Sequence, residues 1–500
     1  MAVLVSACSG LGDWQENGRG LYEPHLASLG YAVSRVARSA AMTAEVDAAA
    51  RAHLLRRDRQ EDLCFGLWHP SRGETRTTAI IERLILPCEG ERNVHGNVSF
   101  EAAFLERALT EAAAAGAGVA LLHSHPLGHG WQGMSRDDIR AEQVNAGAVF
   151  GATDLPFVGL TLAGDGAWSA RFWERTAPRT YQVNWCGTVR VVGDRVTVHY
   201  MEKLAPRPQA TRAQLRTVSA WGEDCQADLV RLRYGIAGAG SVGGFIADAL
   251  IKTGAEDVML IDFDHVAEHN LDRLSYATMQ DIGRLKVETL TAFLQPRATA
   301  ARCTIQPVVG AIYEEEVFRK ALDCDVLFSC VDRPWGRHVL NLIAFAHLIP
   351  IVDGGIRVRT NRFGKLSAAD WRAHTATIGR PCLQCIGQYD PGLIQAEREG
   401  NLDNPRYIEG LPDDHPLKTR QNVFAFSMSC ASLQTLQMLA LILAPLDQPN
   451  PGAQLYHFVG GRMEQPTFGT CHKECFFPSL IARGDSCGIQ VTRDRAQASH

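Results

Sequence analysis

The chain has 500 residues, 46% of them apolar and 21% charged, which is ordinary for a soluble globular protein. At roughly 150 residues per domain it holds two or three domains, which rules out collagen-like, disordered and small disulfide-framework chains. Fifty basic against 55 acidic residues leave a net charge of -5, which argues against a dedicated nucleic-acid or anionic-membrane binder.

The opening Met1 to Cys8 superficially looks like a lipoprotein cleavage box. It lacks a basic n-region and has only about four apolar residues before Ser6, so residues 1–35 read as a loose leader. Fourteen cysteines without a signal peptide then point to a reducing, cytoplasmic setting, where close Cys pairs suggest metal before disulfide. Residues 41–55 read as a helix, and 63–68 and 77–86 as strands. Ser99 can cap a helix running to about Ala115 and ended by Gly116. Residues 119–122 form a short apolar strand that delivers His123 at its end. Strand-like runs follow at 157–162 and 167–173. The stretch 179–210, with Pro206 and Pro208, reads as a connector carrying a hairpin around Gly193-Asp194. From about Leu229 the order strand, glycine turn, helix, strand signals an α/β sheet. The apolar run from Phe424 to Leu443 is interrupted by Ser427, Ser429, Ser432, Gln434 and Gln437, which predicts a buried helix rather than a membrane span.

Two clusters carry chemistry. The first is His123-Ser124-His125-Pro126 followed, after a loop, by Ser135-Arg136-Asp137-Asp138. Two imidazoles one residue apart at a strand end can share a divalent metal, and a carboxylate from the next helical turn completes three ligands. A fourth position is then left for water, as in catalytic zinc sites. Ser135-x-x-Asp138 also reads as a helix N-terminal capping pair. These residues resemble the JAMM (MPN-plus, JAB) metalloproteases over roughly residues 40–175. The resemblance implies that His123, His125 and Asp138 hold zinc, with Asp137 as an alternative, and that Ser135 helps stabilise an oxyanion. It implies a general base at Glu61, opening the run Glu61-Asp62-Leu63-Cys64-Phe65-Gly66, with Asp62 as the fallback because Cys64 departs from the usual Gly. The loop between Pro126 and Ser135 is about two residues longer than the family's. Family members cleave peptide or isopeptide bonds after the C-terminal glycine of ubiquitin-like proteins.

The second cluster begins with Gly238-Ala239-Gly240-Ser241-Val242-Gly243 after a strand. The glycines allow a tight turn and let a phosphate reach the next helix's N-terminus, a pattern shared with dehydrogenases. The decision comes from Asp262-Phe263-Asp264, Asn270-Leu271-Asp272-Arg273, Gly283-Arg284-Leu285-Lys286 and Asp332. This series resembles the E1-like adenylating superfamily (ThiF, MoeB and ubiquitin-activating enzymes) over about residues 211–475. An adenylating enzyme must neutralise a triphosphate while a carboxylate attacks its α-phosphorus, which demands fixed cations and Mg²⁺. The resemblance implies that Asp262 binds ribose, Arg273 and Lys286 the phosphates of ATP, and Asp332 the Mg²⁺ side, with Asp264 and Asn270 in support. It also implies that Arg216 reaches the nucleotide of a second protomer in a homodimer.

Cys382-x-x-Cys385 and Cys471-x-x-x-Cys475 can assemble a structural zinc site, with Cys487 or His472 as substitutes. A thioester-forming E1 also needs a nucleophilic Cys. Residues 386–429 contain none, and Cys430, on a helix with an apolar face at Leu433, Leu436, Leu439 and Leu443, reads as a packed thiol. The expected architecture is α/β: a leader (1–35), a JAB-type α/β metalloprotease domain (36–178), a connector (179–210), and a Rossmann-like doubly wound E1/ThiF adenylation domain (211–500). The expected partner is a ubiquitin-like or sulfur-carrier protein ending in diglycine, with an E2-like protein if conjugation follows, and no nucleic acid or membrane. The rival outcomes are sulfur transfer for biosynthesis and a scaffold with decayed sites. Fused systems of this kind resemble bacterial antiphage modules.

Overall fold

The computed structural model describes residues 3–5, 38–95, 97–403, 409–410, 421–467, 469–488 and 491. The chain divides into two compact units: Met1–Ser71, Thr75–Val191 and Val198–Pro206 in one, Arg72–Glu74, Val192–Thr197 and Arg207–His500 in the other. The expected leader lies outside the described residues apart from Val3–Val5, a short strand paired antiparallel with Val98–Phe100.

The first unit is built on a mixed nine-stranded sheet. Its order is Thr180–Trp185, Trp168–Ala177, Phe157–Ala163, Gly118–His125, Leu63–Arg72, Thr77–Ile85, Arg38–Thr43, Thr188–Val192 and Val196–Tyr200. Helices cover both faces, so the central strands are apolar on both sides. Leu63, Phe65 and Leu67 pack with Phe104 and Ala108 of the helix Ala102–Ala115 and with Val149 of the helix Arg136–Thr153. Cys64 and Trp68 face the other way, toward Val46, Ala50 and Leu54 of the helix Ala44–Leu54. The same alternation runs along Gly118–His125: Val119 and Leu121 face the two-helix side, Ala120 and Leu122 the other. His123 and His125 continue the odd series, toward the helix Arg136–Thr153.

Three expectations change here. Residues 41–43 are strand, not helix: Ala40, Ala41 and Met42 are buried in a parallel ladder with Ala79, Ile80 and Ile81, and Thr43 caps the helix beyond it. Alanine-rich sequence favours helix, and pairing in the sheet overrides it. Ser99 is not a cap; it lies in the strand Asn97–Phe100, and Glu101 precedes the helix, which does end at a left-handed Gly116. The supposed connector contributes the strands Thr180–Trp185, Thr188–Val192 and Val196–Tyr200 to the sheet, because Val189, Val191 and Val196 find apolar cover. The hairpin around Gly193-Asp194 joins the last two.

The second unit is an eight-stranded sheet. Its first five strands run parallel in the order Thr304–Val308, Asp257–Ile261, Arg233–Ala237, Val326–Ser329 and Ile351–Thr360. Leu366–Ala376, Gln454–His457 and Arg462–Glu464 then continue it antiparallel. The chain leaves Arg233–Ala237 toward one edge and returns to add Val326–Ser329 on the other side. That makes a topological switch point, with a crevice at the strands' carboxyl ends.

Phe424–Leu443 forms one helix, and its buried face is not the predicted leucine face. Leu436 is half exposed, while Ser427, Cys430, Gln434 and Gln437 are fully buried. Gln434 donates to the carbonyls of Ser329 (3.3 Å) and Val352 (3.0 Å), and Gln437 accepts from Thr375 Oγ1 at 3.0 Å. Carboxamides on this face satisfy strand-end backbone that leucine would leave unbonded.

Burial also holds His347 and His374 of this unit down to about 4. Both histidines are neutral when folded and take up protons on unfolding once the pH falls below the ordinary value near 6.5. The sign is therefore acid lability: stability is full above about 6.5 and falls toward pH 4, by up to about 2.7 kcal/mol per pH unit for two groups. Urea midpoints of the unit measured from pH 7 to pH 4.5 are expected to fall, and His347→Gln should flatten the slope by about half.

Candidate functional site

At the end of Gly118–His125, the Nε2 atoms of His123 and His125 face each other at 3.3 Å. Asp138 Oδ1 lies 3.8 Å from His123 Nε2, and Asp138 Oδ2 lies 3.6 Å from His125 Nε2. Ligands about 2.0–2.1 Å from a tetrahedral zinc stand about 3.3–3.4 Å apart, so the two imidazole nitrogens are spaced as a metal would space them, and the Asp138 carboxylate stands a few tenths of an ångström further out. Burial pushes the His123 imidazole down to about 3, leaving its ring nitrogen unprotonated and free to bind metal. Burial works to raise the Asp138 carboxyl, but its contact with the His125 imidazole and the Ser135 N–H outweigh it and keep the group ionised.

Capping and ligation use the same residues. Ser135 N–H donates to Asp138 Oδ2 at 2.7 Å and Asp138 N–H to Ser135 Oγ at 3.1 Å, a capping box that starts the helix Arg136–Thr153. The box fixes the Asp138 rotamer and leaves its Oδ1 without a hydrogen-bond partner. The Ser135 hydroxyl keeps its own proton to donate. Asp137, the alternative, is exposed.

Register separates the two candidate bases. Leu63, which pairs with His123, ends the ladder; continued by two residues, that register sets Glu61 opposite His125, on the face of both imidazoles, and Glu61 is buried. Asp62 faces the other way. It is held by Arg56 Nη1 at 3.1 Å, by Arg92 and by His53 at 3.6 Å, as a structural ion pair.

Sequence reasoning missed the polar group beside His123 Nε2. Thr161 Oγ1 is 3.3 Å from His123 Nε2 and accepts from Arg171 Nη1 at 2.6 Å. Arg171 is paired with Glu142, which also accepts from Trp173 Nε1 at 2.7 Å, and both charges are fully buried. The available signal was an arginine between Ala170 and Phe172 in an otherwise apolar strand. Glu142→Ala would leave the Arg171 charge buried without its partner. A loss of about 3–5 kcal/mol is expected, read as a lower denaturant midpoint of the first unit.

In the second unit the glycine turn lies at the switch point. Gly238 has φ +102°, and a Cβ there would lie 2.5 Å from the Cys330 carbonyl oxygen. A Cβ on Gly243 would lie 1.9 Å from the Gly238 oxygen, so turn and helix Ser241–Thr253 meet backbone to backbone. Gly240, at the helix N-cap, has open space above it, where a phosphate would meet the N-terminal N–H groups. Asp262, ending the next strand, accepts from Ala239 N–H at 2.7 Å and Asp264 N–H at 2.8 Å, and burial raises its carboxyl. Lys286 Nζ reaches Asp264 at 2.7 Å. Arg273 holds the His269 carbonyl at 2.6 Å and Asp272 at 3.0 Å. Asn270 is buried and shapes that loop, accepting from Ala267 N–H at 3.2 Å. Asp332 is exposed, just past Val326–Ser329. Arg216 is exposed on the helix Leu215–Val230. Arg337, which follows Asp332 in the E1-like series, has a pairing the sequence did not show: its Nε lies 3.2 Å from Oδ1 of the buried Asp353, on the neighbouring strand opposite Ser329.

The four predicted cysteines converge. Cys382 Sγ is 3.7 Å from Cys475 Sγ, near the ~3.8 Å expected of thiolates about 2.3 Å from a tetrahedral zinc. Backbone N–H groups of Cys382, Cys385 and His472 point at cluster sulfurs at 3.2–3.4 Å, as they do where thiolates carry charge. His472 thus contributes its backbone, and neither it nor Cys487 belongs to the four-ligand set. Cys430 is fully buried, and burial pushes its thiol up to about 12, which removes the thiolate a nucleophile needs.

A glycine turn at a switch point, an acidic strand end and a lysine beside it define a nucleotide-binding doubly wound domain. Residues 211–475 match the ThiF family, and the chain belongs to that family. Among curated relatives, the "Adenylyltransferase and sulfurtransferase UBA4" of Meyerozyma guilliermondii is 28% identical over 173 residues, covering 34% of this chain and 38% of the relative. The "Molybdopterin-synthase adenylyltransferase" of Escherichia coli is 28% identical over 166 residues, covering 33% and 62%. The "tRNA threonylcarbamoyladenosine dehydratase 2" of Saccharomyces cerevisiae is 34% identical over 135 residues, covering 26% and 30%. The chain thus spans less than two thirds of the length of each. The crystal structure of E. coli MccB with ATP aligns at a TM-score of 0.40 and 17% identity, over 53% of this chain and 74% of that one, a likeness too slight to argue from.

Proposed function

We propose that the chain is a bifunctional enzyme of a ubiquitin-like system. The second unit adenylates the C-terminal glycine carboxylate of a small ubiquitin-like protein, and the first frees that carboxylate by cleaving the peptide or isopeptide bond after the glycine. The observation that carries the adenylating half is Lys286 beside Asp262 and Asp264, at the mouth of a glycine turn that a dehydrogenase would leave without a cation. In that reaction the carboxylate attacks the α-phosphorus of ATP and pyrophosphate leaves. Lys286 and Arg273 neutralise the phosphates and Asp262 holds the ribose hydroxyls; Asp332 would hold Mg²⁺, which would supply further charge neutralisation. Arg216, facing outward, fits a homodimer in which it reaches a second copy's nucleotide. Relatives named as adenylyltransferases support this reading.

For the first unit the proposal is a JAMM-type zinc peptidase. Zinc bound by His123, His125 and Asp138 would supply Lewis acidity and an acidified water. Glu61 accepts the proton from the attacking water and returns it to the leaving amine, and the Ser135 hydroxyl donates to the developing oxyanion. The four cysteines would hold a second, structural zinc, in a cytoplasmic setting where thiols stay reduced.

Sulfur-carrier activation is the second reading, in which the adenylate becomes a thiocarboxylate. It is favoured by the absence of any cysteine in residues 386–429 and the burial of Cys430. In the conjugation reading an E2-like partner would take the activated chain. ATP–pyrophosphate exchange with diglycine-ended ubiquitin-fold proteins tests the shared step. Exchange is expected with at least the protein encoded beside this one; nucleotide binding without exchange for every candidate would remove the proposal.

A further inference from the structure

We infer that Gln132, in the lengthened loop after the His123-Ser124-His125 strand end, is a positioning residue that orients His125 as a metal ligand. The inference rests on the metal-site reading above.

Gln132 Oε1 lies 3.4 Å from His125 Nδ1, the ring nitrogen opposite the one that faces His123 and Asp138. The carboxamide cannot be the other way round. Its Nε2 is spent on two backbone carbonyls, His129 at 2.9 Å and Gly130 at 3.0 Å, so the oxygen is the atom left to face the imidazole. An acceptor at Nδ1 keeps the proton there and directs the Nε2 lone pair at the metal, while fixing the ring's rotation. His123 has no such tether at its Nδ1, which is buried without a hydrogen-bond partner among the described residues; its polar contact is Thr161 Oγ1 on the other nitrogen.

The loop is built to present this amide. Gly128 N–H donates to the His125 carbonyl at 2.9 Å, Gly164 N–H to the Gly128 carbonyl at 2.9 Å, Gly130 N–H to Asp165 at 2.7 Å and Gln132 N–H to Ser169 Oγ at 3.3 Å. The Gln132 amide lies across Gly128, where a Cβ would come within 2.3 Å of Oε1. The extra loop length therefore brings a hydrogen-bond acceptor to the back of the His125 ring.

The test is metal affinity of the full chain, read by chelator competition with zinc and by the absorption of the cobalt-substituted protein. The cysteine cluster's thiolate–cobalt band serves as the folding control. Gln132→Ala is expected to weaken the histidine site about 10- to 100-fold while leaving the thiolate band unchanged. Gly128→Ala, which displaces the amide, should reproduce Gln132→Ala. Unchanged affinity in Gln132→Ala, or wild-type affinity in Gly128→Ala, would overturn the inference and leave the metal site standing. A wild-type chain whose metal content does not drop on His123→Ala would remove the metal site and Gln132's role together.

Discussion

Changing Lys286 to alanine is expected to cut ATP–pyrophosphate exchange by about 10²–10³-fold, the loss seen when one preorganised charge partner of a transition state is removed. Lys286 starts the helix Lys286–Leu294, with its backbone N–H on the Asp264 carbonyl at 2.9 Å and its ammonium on the Asp264 side chain at 2.7 Å. It is anchored twice before nucleotide arrives, so it need not reorganise as charge moves onto the leaving pyrophosphate. The ammonium also opposes the burial that raises the Asp262 carboxyl, so its removal should shift Asp262 further toward the neutral acid and weaken ribose binding. Lys286→Arg should retain more exchange than Lys286→Ala. Zinc content and peptidase turnover should not change in either variant.

Glu61→Gln is expected to lower peptidase turnover by about 10²–10⁴-fold, the range supplied by a positioned general base. Zinc content should stay at the wild-type level, because Glu61 is not one of the three grouped ligands. Asp62→Asn separates the two acids. Asp62 holds Arg56, Arg92 and His53, so its loss should appear as reduced stability of the first unit with turnover per folded molecule kept. Glu61→Gln with full turnover, or Asp62→Asn with lost turnover at unchanged stability, would exchange their roles.

Chemistry-bearing residues were legible where spacing in sequence survives folding. His123 and His125 lie two apart on one strand face, Ser135 and Asp138 one helical turn apart, and the glycines around a single turn. The same holds for Cys382 with Cys385 and Cys471 with Cys475. What escaped was set by long-range pairing. Residues 41–43 read as helix because alanine carries helix propensity, and only the partner strand Thr77–Ile85 makes them a strand. The strands of 180–200 read as connector because their cover comes from sheet neighbours, and for Thr188–Val192 that neighbour is more than a hundred residues away in sequence. The Phe424–Leu443 helix fully buries Gln434 and Gln437 rather than the predicted Leu433, Leu436, Leu439 and Leu443, because sheet carbonyls, invisible to periodicity, wait for donors there. Arg171–Glu142 and Arg337–Asp353 were missed for the same reason: neither charge announces a partner until the sheet is assembled.

The most direct measurement gives the purified chain a diglycine-ended ubiquitin-fold protein with and without a short C-terminal extension, and follows ATP–pyrophosphate exchange in wild type and Glu61→Gln. If one unit exposes the carboxylate that the other activates, the extended protein supports exchange only with Glu61 present, and the trimmed protein supports it in both. Equal exchange of the extended protein by both variants, or none with the trimmed protein by either, would contradict the account.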